Sequence, residues 1–140
     1  MSDLFNVRKA AVEDLPFIFN SWLKCYRAAP AVKMIPNSTY YASQHALIEK
    51  ILLTSEVHIA CNIEDPSQIY GYVVGKTREG KCTVHWLYCK HTFRRNGVAK
   101  ALLQQLGEGP FEYSHRLDNT ERLIKRPNCV YNPYFFLETK

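Results

Sequence analysis

Residues 85–103, HWLYCKHTFRRNGVAKALL, constrain this chain more than any other stretch. His85 to Cys89 has the character of a buried strand, and it feeds through a short basic turn straight into an apolar helical pattern that starts near Gly97. A helix beginning there points its unpaired N–H groups and the positive end of its dipole back at the turn, which makes a ready anion site. Glycine at 97 lets such a group approach the backbone closely, and small Ala99 keeps the next turn uncrowded. Lys90, Arg94 and Arg95 add positive charge to the same place.

The net charge of +5 is concentrated around this segment. Residues 1–75 sum to −1 and residues 101–140 to zero, so residues 76–100, with seven bases and one acid, hold all of the excess. Such a patch attracts an anion: nucleic acid, an acidic protein, or the phosphates of a small cofactor. Composition does not choose among them. With 140 residues, 46% hydrophobic and 22% charged, the chain is expected to form a single domain, 1–140, with its own core and no need of disulfides or metal. Five cysteines, an odd number at irregular spacing with no C-x-x-C, point to neither a disulfide framework nor a zinc clip, so no metal is expected. No stretch approaches the roughly 18 apolar residues of a membrane helix, and the N-terminus carries acid and base where a signal peptide would be apolar. The expectation is a soluble, cytoplasmic protein with no membrane partner.

Along the chain, a first strand is read at Asn6 to Ala10. A helix follows, opened by Glu13-Asp14-Leu15-Pro16 and carrying Leu15, Ile18, Phe19, Trp22 and Leu23 at helical spacing. Pro30 and Pro36 bracket a loop. Asn37 or Ser38 is placed to cap a second helix reaching about Leu53, with Tyr41, Ile48 and Leu52 on one side. Three strands, Val57 to Cys61, Ile69 to Val74 and Cys82 to Cys89, are expected to form an antiparallel meander. A helix over Val98 to Leu106 ends at Gly107-Glu108-Gly109-Pro110. A strand at Phe111 to Ser114, a short polar helix near Asn119 to Lys125 and a strand at Cys129 to Phe136 complete the order. Gly71-Tyr72-Val73-Val74-Gly75-Lys76-Thr77 looks like a phosphate-binding loop, but it has three residues between its glycines instead of four and sits in a strand, so nucleoside triphosphate binding is not expected.

Arg94-Arg95-Asn96-Gly97-Val98-Ala99, placed between a strand and a helix, resembles the acyl-CoA pyrophosphate motif Q/R-x-x-G-x-G/A of the GNAT superfamily of N-acyltransferases. Leu87-Tyr88-Cys89 is similar to that family's pantetheine-holding strand, and Ala101-Leu102-Leu103 to its helix continuation. Val7-Arg8-Lys9-Ala10 with Glu13-Asp14-Leu15-Pro16 resembles the family's opening, and Tyr70 to Val74 its third strand, so the likeness covers about residues 5–106. The resemblance implies an α/β (α+β, three-layer) fold with a mixed, mostly antiparallel central sheet and helices on both faces. It implies acetyl-CoA, or another acyl-CoA, as co-substrate, held by Leu87, Tyr88, Cys89, Arg94, Arg95, Asn96, Gly97, Val98, Ala99 and Lys100. The reaction implied is direct attack of a primary amine, on a small molecule or a protein, upon the thioester.

Many members of that family use a tyrosine as the acid, on the helix after the fifth strand, yet Asn119 to Arg126 contains no tyrosine. Ser114 and His115, at the end of the fifth strand where the family's fourth and fifth strands splay apart, are the catalytic candidates together with Tyr131; Tyr134 is a further candidate acid. The other reading of each is structural: a polar strand end or a packing tyrosine. His85 alternates with Trp86 and reads as core or as a residue behind the site. Tyr40, Tyr41, Gln44 and His45 form a polar-aromatic cluster at the start of the second helix, where the resembled family builds part of its acceptor wall; Tyr40, Tyr41 and His45, with Trp86, are the candidates for that wall, against the alternative of an aromatic core stripe. Two other functions are carried: a phage Mom-type GNAT-like protein that modifies nucleic acid, drawing on the bases of 76–100 with Arg116, Arg122, Lys125 and Arg126, and a non-catalytic CoA-binding or interaction module. The resemblance further implies pairing of two copies through their last strands, with Tyr134-Phe135-Phe136 suited to it.

Overall fold

The computed structural model describes residues 5–90, 97–115 and 128–134. Six strands form one sheet in chain order: β1 (Asn6–Lys9), β2 (Glu56–Cys61), β3 (Ile69–Arg78), β4 (Lys81–Cys89), β5 (Glu112–Tyr113) and β6 (Val130–Tyr131). The β1–β2, β2–β3 and β3–β4 pairings are antiparallel, as the expected meander requires, and β4–β5 and β5–β6 are parallel. The helices are α1 (Leu15–Tyr26), α2 (Asn37–Thr54) and α3 (Val98–Gln104). This is the expected mixed architecture. β3 runs four residues beyond Val74 because Glu79 and Gly80, both at positive φ, form a tight hairpin turn that pairs Arg78 with Lys81. No helix follows the Gly71-to-Thr77 segment, which lies wholly in β3.

Side chains alternate between two apolar layers. Ile59, Tyr72, Val74 and Trp86 pack with Ile18, Trp22, Tyr26, Tyr40, Ile48 and Ile51 of α1 and α2. Ala60, Val73, Val84 and Cys89 pack with Val98, Leu102 and Leu103 of α3. The α1 stripe Ile18, Trp22, Tyr26 follows the i, i+4, i+8 spacing of one helix face. The start of α1 is locked to β1: the Arg8 guanidinium donates to both Asp14 oxygens at 2.7 and 3.0 Å and to the Pro66 carbonyl at 2.8 Å, and Ala11 N–H donates to Asp14 at 2.7 Å. This pairing holds the Asp14 carboxyl below its usual range.

Two local expectations about α2 are corrected. Its N-cap is Pro36, with no side-chain cap; Asn37 lies in the helix and its Oδ1 accepts from Arg27 Nε at 3.0 Å. Its buried stripe is Tyr40, Gln44, Ile48 and Ile51, so Tyr40 rather than Tyr41 turns inward. Tyr40 has a partner for its hydroxyl there, the Leu23 carbonyl at 2.7 Å, and the Arg27 guanidinium lies 4.8 Å from its ring centre. The strands expected at Phe111 to Ser114 and Cys129 to Phe136 are two residues each within the described chain. The helix expected at Asn119 to Lys125 lies outside the described residues.

The register of β3 against β4 slips by one residue: Val74 opposes Trp86 and Gly75 opposes Val84, which leaves His85 as the extra residue of a bulge. The slip changes the parity of β4. Val84 faces α3 and Trp86, two residues on, faces α1 and α2. Gly75 permits the close strand approach, because a β-carbon there would stand 2.5 Å from the Thr83 carbonyl and 2.7 Å from Leu106. Gly75→Ala is therefore expected to lower stability by about 1–3 kcal/mol, measured as a lower urea midpoint with an unchanged slope.

Candidate functional site

Ladder pairing of β5 with β4 stops at the bulge, a point termed the fork. Among the described residues β5 pairs with β4 at Thr83 and Val84, and Ser114 N–H donates to the Val84 carbonyl at 3.1 Å. Lys90 N–H bonds back to the Tyr70 carbonyl in β3 at 2.8 Å. By the alternation of an antiparallel ladder, the amides of Tyr88 and Trp86 face β3 as well, while those of Leu87 and Cys89 face the β5 side. Past the end of β4, Gly97 opens α3 with φ +82° and ψ +4°, and a β-carbon at that position would meet nothing within 4 Å among the described residues. The left-handed conformation explains why glycine stands there independently of any ligand. Val98 is buried, Ala99 half-buried and Lys100 exposed. Arg94, Arg95 and Asn96 lie outside the described residues.

At the vertex of the fork, four polar side chains join in a chain. His85 Nδ1 and Ser114 Oγ are 2.8 Å apart, Ser114 Oγ and His115 Nδ1 2.9 Å, and His115 Nε2 and Gln44 Nε2 3.0 Å. None of the four is more than 7% exposed. Rings enclose His115: those of Trp22, Tyr26 and Trp86 have centroids 5.2, 4.8 and 6.3 Å from it, and Trp22 stacks on Trp86 at 5.4 Å. Removal from water, with a smaller contribution from His85, lowers the His115 pKa to about 3; burial and then the charge of Lys76 lower that of His85 to about 4. Both rings are neutral near pH 7. Burial likewise pushes the Tyr26 phenol up to about 12.

The structure thus brings together Ser114 and His115, the catalytic candidates of the sequence, with His85, expected in the core or behind the site, and Gln44, expected in the cluster at the start of the second helix. Tyr131 stands on β6 with its ring 5.7 Å from that of Tyr113. Tyr134 is exposed. The candidate acceptor residues divide: Tyr40 and Trp86 are buried, whereas Tyr41 is exposed, its ring 5.0 Å from that of Tyr40, and exposed His45 stacks on Phe19 at 4.5 Å and pairs with Glu49 at 3.4 Å. Gln44 had one signal in the sequence, a place four residues from both Tyr40 and Ile48, but nothing there marked it as a partner of His115.

No helix among the described residues is long and apolar enough to cross a membrane, and no group of three His, Cys, Asp or Glu among them is placed to hold a metal. A six-stranded mixed sheet with helices on both faces and a glycine-opened helix after its fourth strand defines an α/β protein. The chain belongs to the acetyltransferase (GNAT) family, whose model matches residues 15–109. It is therefore of the general acyl-CoA N-acyltransferase kind. Solved structures sharing the fold include a candidate acetyl transferase of Pyrococcus furiosus, 16% identical over 84% of this chain and 87% of that one, with a TM-score of 0.60. A GCN5-related N-acetyltransferase of Kribbella flavida is 16% identical over 75% of this chain and 64% of that one, with a TM-score of 0.53. A GNAT superfamily phosphinothricin acetyltransferase of Sinorhizobium meliloti, in complex with AcCoA, is 18% identical over 74% and 57%, with a TM-score of 0.51. The aligned part is thus under two thirds of the length of the last two. No curated sequence matches the chain.

The buried histidines fix a pH dependence. An unfolded imidazole titrates near 6.5, and the folded rings near 4 and 3. Above about pH 6.5 neither state binds the protons and no stability is lost. Between that value and the folded ones, the unfolded chain binds protons that the folded chain excludes, so stability falls as pH falls. The loss approaches about 1.4 kcal/mol per pH unit for each ring. Melting temperatures between pH 7 and 4.5 are expected to drop steeply, and His115→Gln is expected to flatten that slope.

Proposed function

We propose that the chain is an acetyl-CoA-dependent N-acetyltransferase acting on a primary amine. The observation that carries this is the fork between β4 and β5 followed by the left-handed Gly97 that opens α3, in a chain of the GNAT family. Leu87, Tyr88 and Cys89 are assigned to the pantetheine arm, consistent with the Leu87 and Cys89 amides facing the fork. Arg94 to Lys100 are assigned to the pyrophosphate, supported by the open space at Gly97 and the positive charge of residues 76–100. The neighbour crystallised with AcCoA supports acetyl as the group carried.

The amine nitrogen attacks the thioester carbonyl carbon, the carbon–sulfur bond breaks, the nitrogen gives up one proton and the thiolate takes one. Ser114 and His115 are the groups assigned to proton movement, and the His115 ring, neutral near pH 7, donates through one nitrogen and accepts through the other. Of the residues assigned to the acceptor wall, Tyr41 and His45 are exposed to a substrate, and Tyr40 and Trp86 are buried. The acceptor is a small-molecule or protein amine.

Acetyl-CoA at 100 times its Kd is expected to add about 2.7 kcal/mol of stability, visible as a raised melting temperature. Arg94→Ala removes a charge-assisted contact and should weaken that binding about tenfold or more, and Gly97→Asp should weaken it by setting a like charge against phosphate. A Gly97→Asp variant of full affinity would refute the assignment. Acetyl-CoA binding without transfer to any of a wide amine panel would favour the binding-module reading, and a steeply salt-dependent affinity for DNA the nucleic-acid one.

A further inference from the structure

We infer that the protein holds a second binding site, at the end of the sheet where β3 begins and β4 ends, and that it takes an apolar α-amino acid as the zwitterion, carboxylate on Lys90 and ammonium on Glu13. The site is a cavity of about 470 Å3 between the start of α1, with Glu13, Asp14 and Phe17, and the segment 67–70 with Lys90. Lys90 lies about 13 Å along β4 from Trp86, at ~3.3 Å per residue. The cavity shares no residue with the polar chain at the fork. The inference stands apart from the acyltransferase reading.

The sequence groups Lys90 with Arg94 and Arg95, but the structure turns its side chain to the α1 side of the sheet. The ammonium lies 5.2 Å from the centre of the Phe17 ring, and Phe17 packs with the core under α1 and α2. Lys90 is half-buried and Glu13, on the α1 wall of the same cavity, is exposed. Among the described residues neither forms an ion pair, with the other or with any third group. An anion alone would be repelled by Glu13 and a cation alone by Lys90, so the ligand that suits the cavity carries both signs. Asp14 does not compete: both of its oxygens receive Arg8, and Ala11 N–H adds a third bond.

The cavity is also preformed. Arg8 ties two of its walls together, donating to Asp14 at the start of α1 and to the Pro66 carbonyl at the head of segment 67–70. The bond from Lys90 N–H to the Tyr70 carbonyl, 2.8 Å, fixes the third. Little ordering is then needed on binding, which lowers its entropic cost. Phe17 and Ile69 give the cavity apolar surface, and its volume falls in the range of small-molecule sites. A branched aliphatic side chain fits both features.

The test is amide proton–nitrogen NMR of the full chain without acetyl-CoA, titrated with three probes: L-leucine, 4-methylpentanoate, which lacks its amine, and 3-methylbutylamine, which lacks its carboxylate. L-leucine is expected to saturate with a Kd of about a millimolar, with shifts confined to residues 13–17, 67–70 and 90. Each half-ligand should bind about tenfold more weakly. Glu13→Gln and Lys90→Met should each weaken L-leucine by a similar factor, yet Glu13→Gln should not weaken 4-methylpentanoate, nor Lys90→Met the amine. Methionine keeps an apolar stem on Phe17; should Lys90→Met still fail to fold, Glu13→Gln, at an exposed position, decides with the same probes. The inference is overturned by L-leucine shifts that do not saturate far above a millimolar, by shifts centred elsewhere, by half-ligands that bind as well as L-leucine, or by variants that bind it as the wild type does.

Discussion

One extra residue in β4 organises the site. Without the bulge at His85, Val84 and Trp86 would share a face of the sheet; with it, Trp86 turns to stack on Trp22 while Val84, Leu87 and Cys89 pack on the α3 side. Beyond that point β5 no longer accompanies β4, so the bulge and the fork coincide. Parallel pairing of β4 with β5 over two residues is enough to bring Ser114 against His85, and the chain turn at Ser114 delivers His115 into the aromatic enclosure. The vertex of the fork is thus tied by polar links and flanked by stacked rings on one side.

The electrostatics differ between the two ends of the sheet. At the β1 edge a charge is retained: the Asp14 carboxylate is largely buried, and Arg8 meets it with two parallel bonds, the geometry that offsets desolvation. At the fork no charge is retained. Two imidazoles, a hydroxyl and a carboxamide satisfy one another while neutral, and neutrality is what permits them to sit among tryptophan and tyrosine rings. A carboxylate in place of Gln44 would change that balance more than a cavity would.

Much of this was legible in the sequence because it rests on short-range pattern. The period change from α2 into the meander, the glycine-opened turn into α3 and the family resemblance all come from contiguous residues, and the family match over 15–109 nearly coincides with the 5–106 read from motifs. What was not legible depends on distant contacts. A bulge leaves no mark on alternation when both strand faces are buried, so the side to which His85 turns could not be read. Tyr40 and Tyr41 are equivalent to a helical period until the Leu23 carbonyl and Arg27 single out Tyr40. Gln44 and His115 are separated by 71 residues, and only the packing of α2 over the fork joins them.

The chain contains two tryptophans, and they are the stacked pair Trp22 and Trp86 beside His115. Tryptophan fluorescence, excited at wavelengths where the nine tyrosines do not absorb, therefore originates at this one locus. Interplanar tilt is only 7°, so the two indoles are arranged for excitonic coupling, and their emission is a built-in optical gauge of whether the rings about the fork stay assembled.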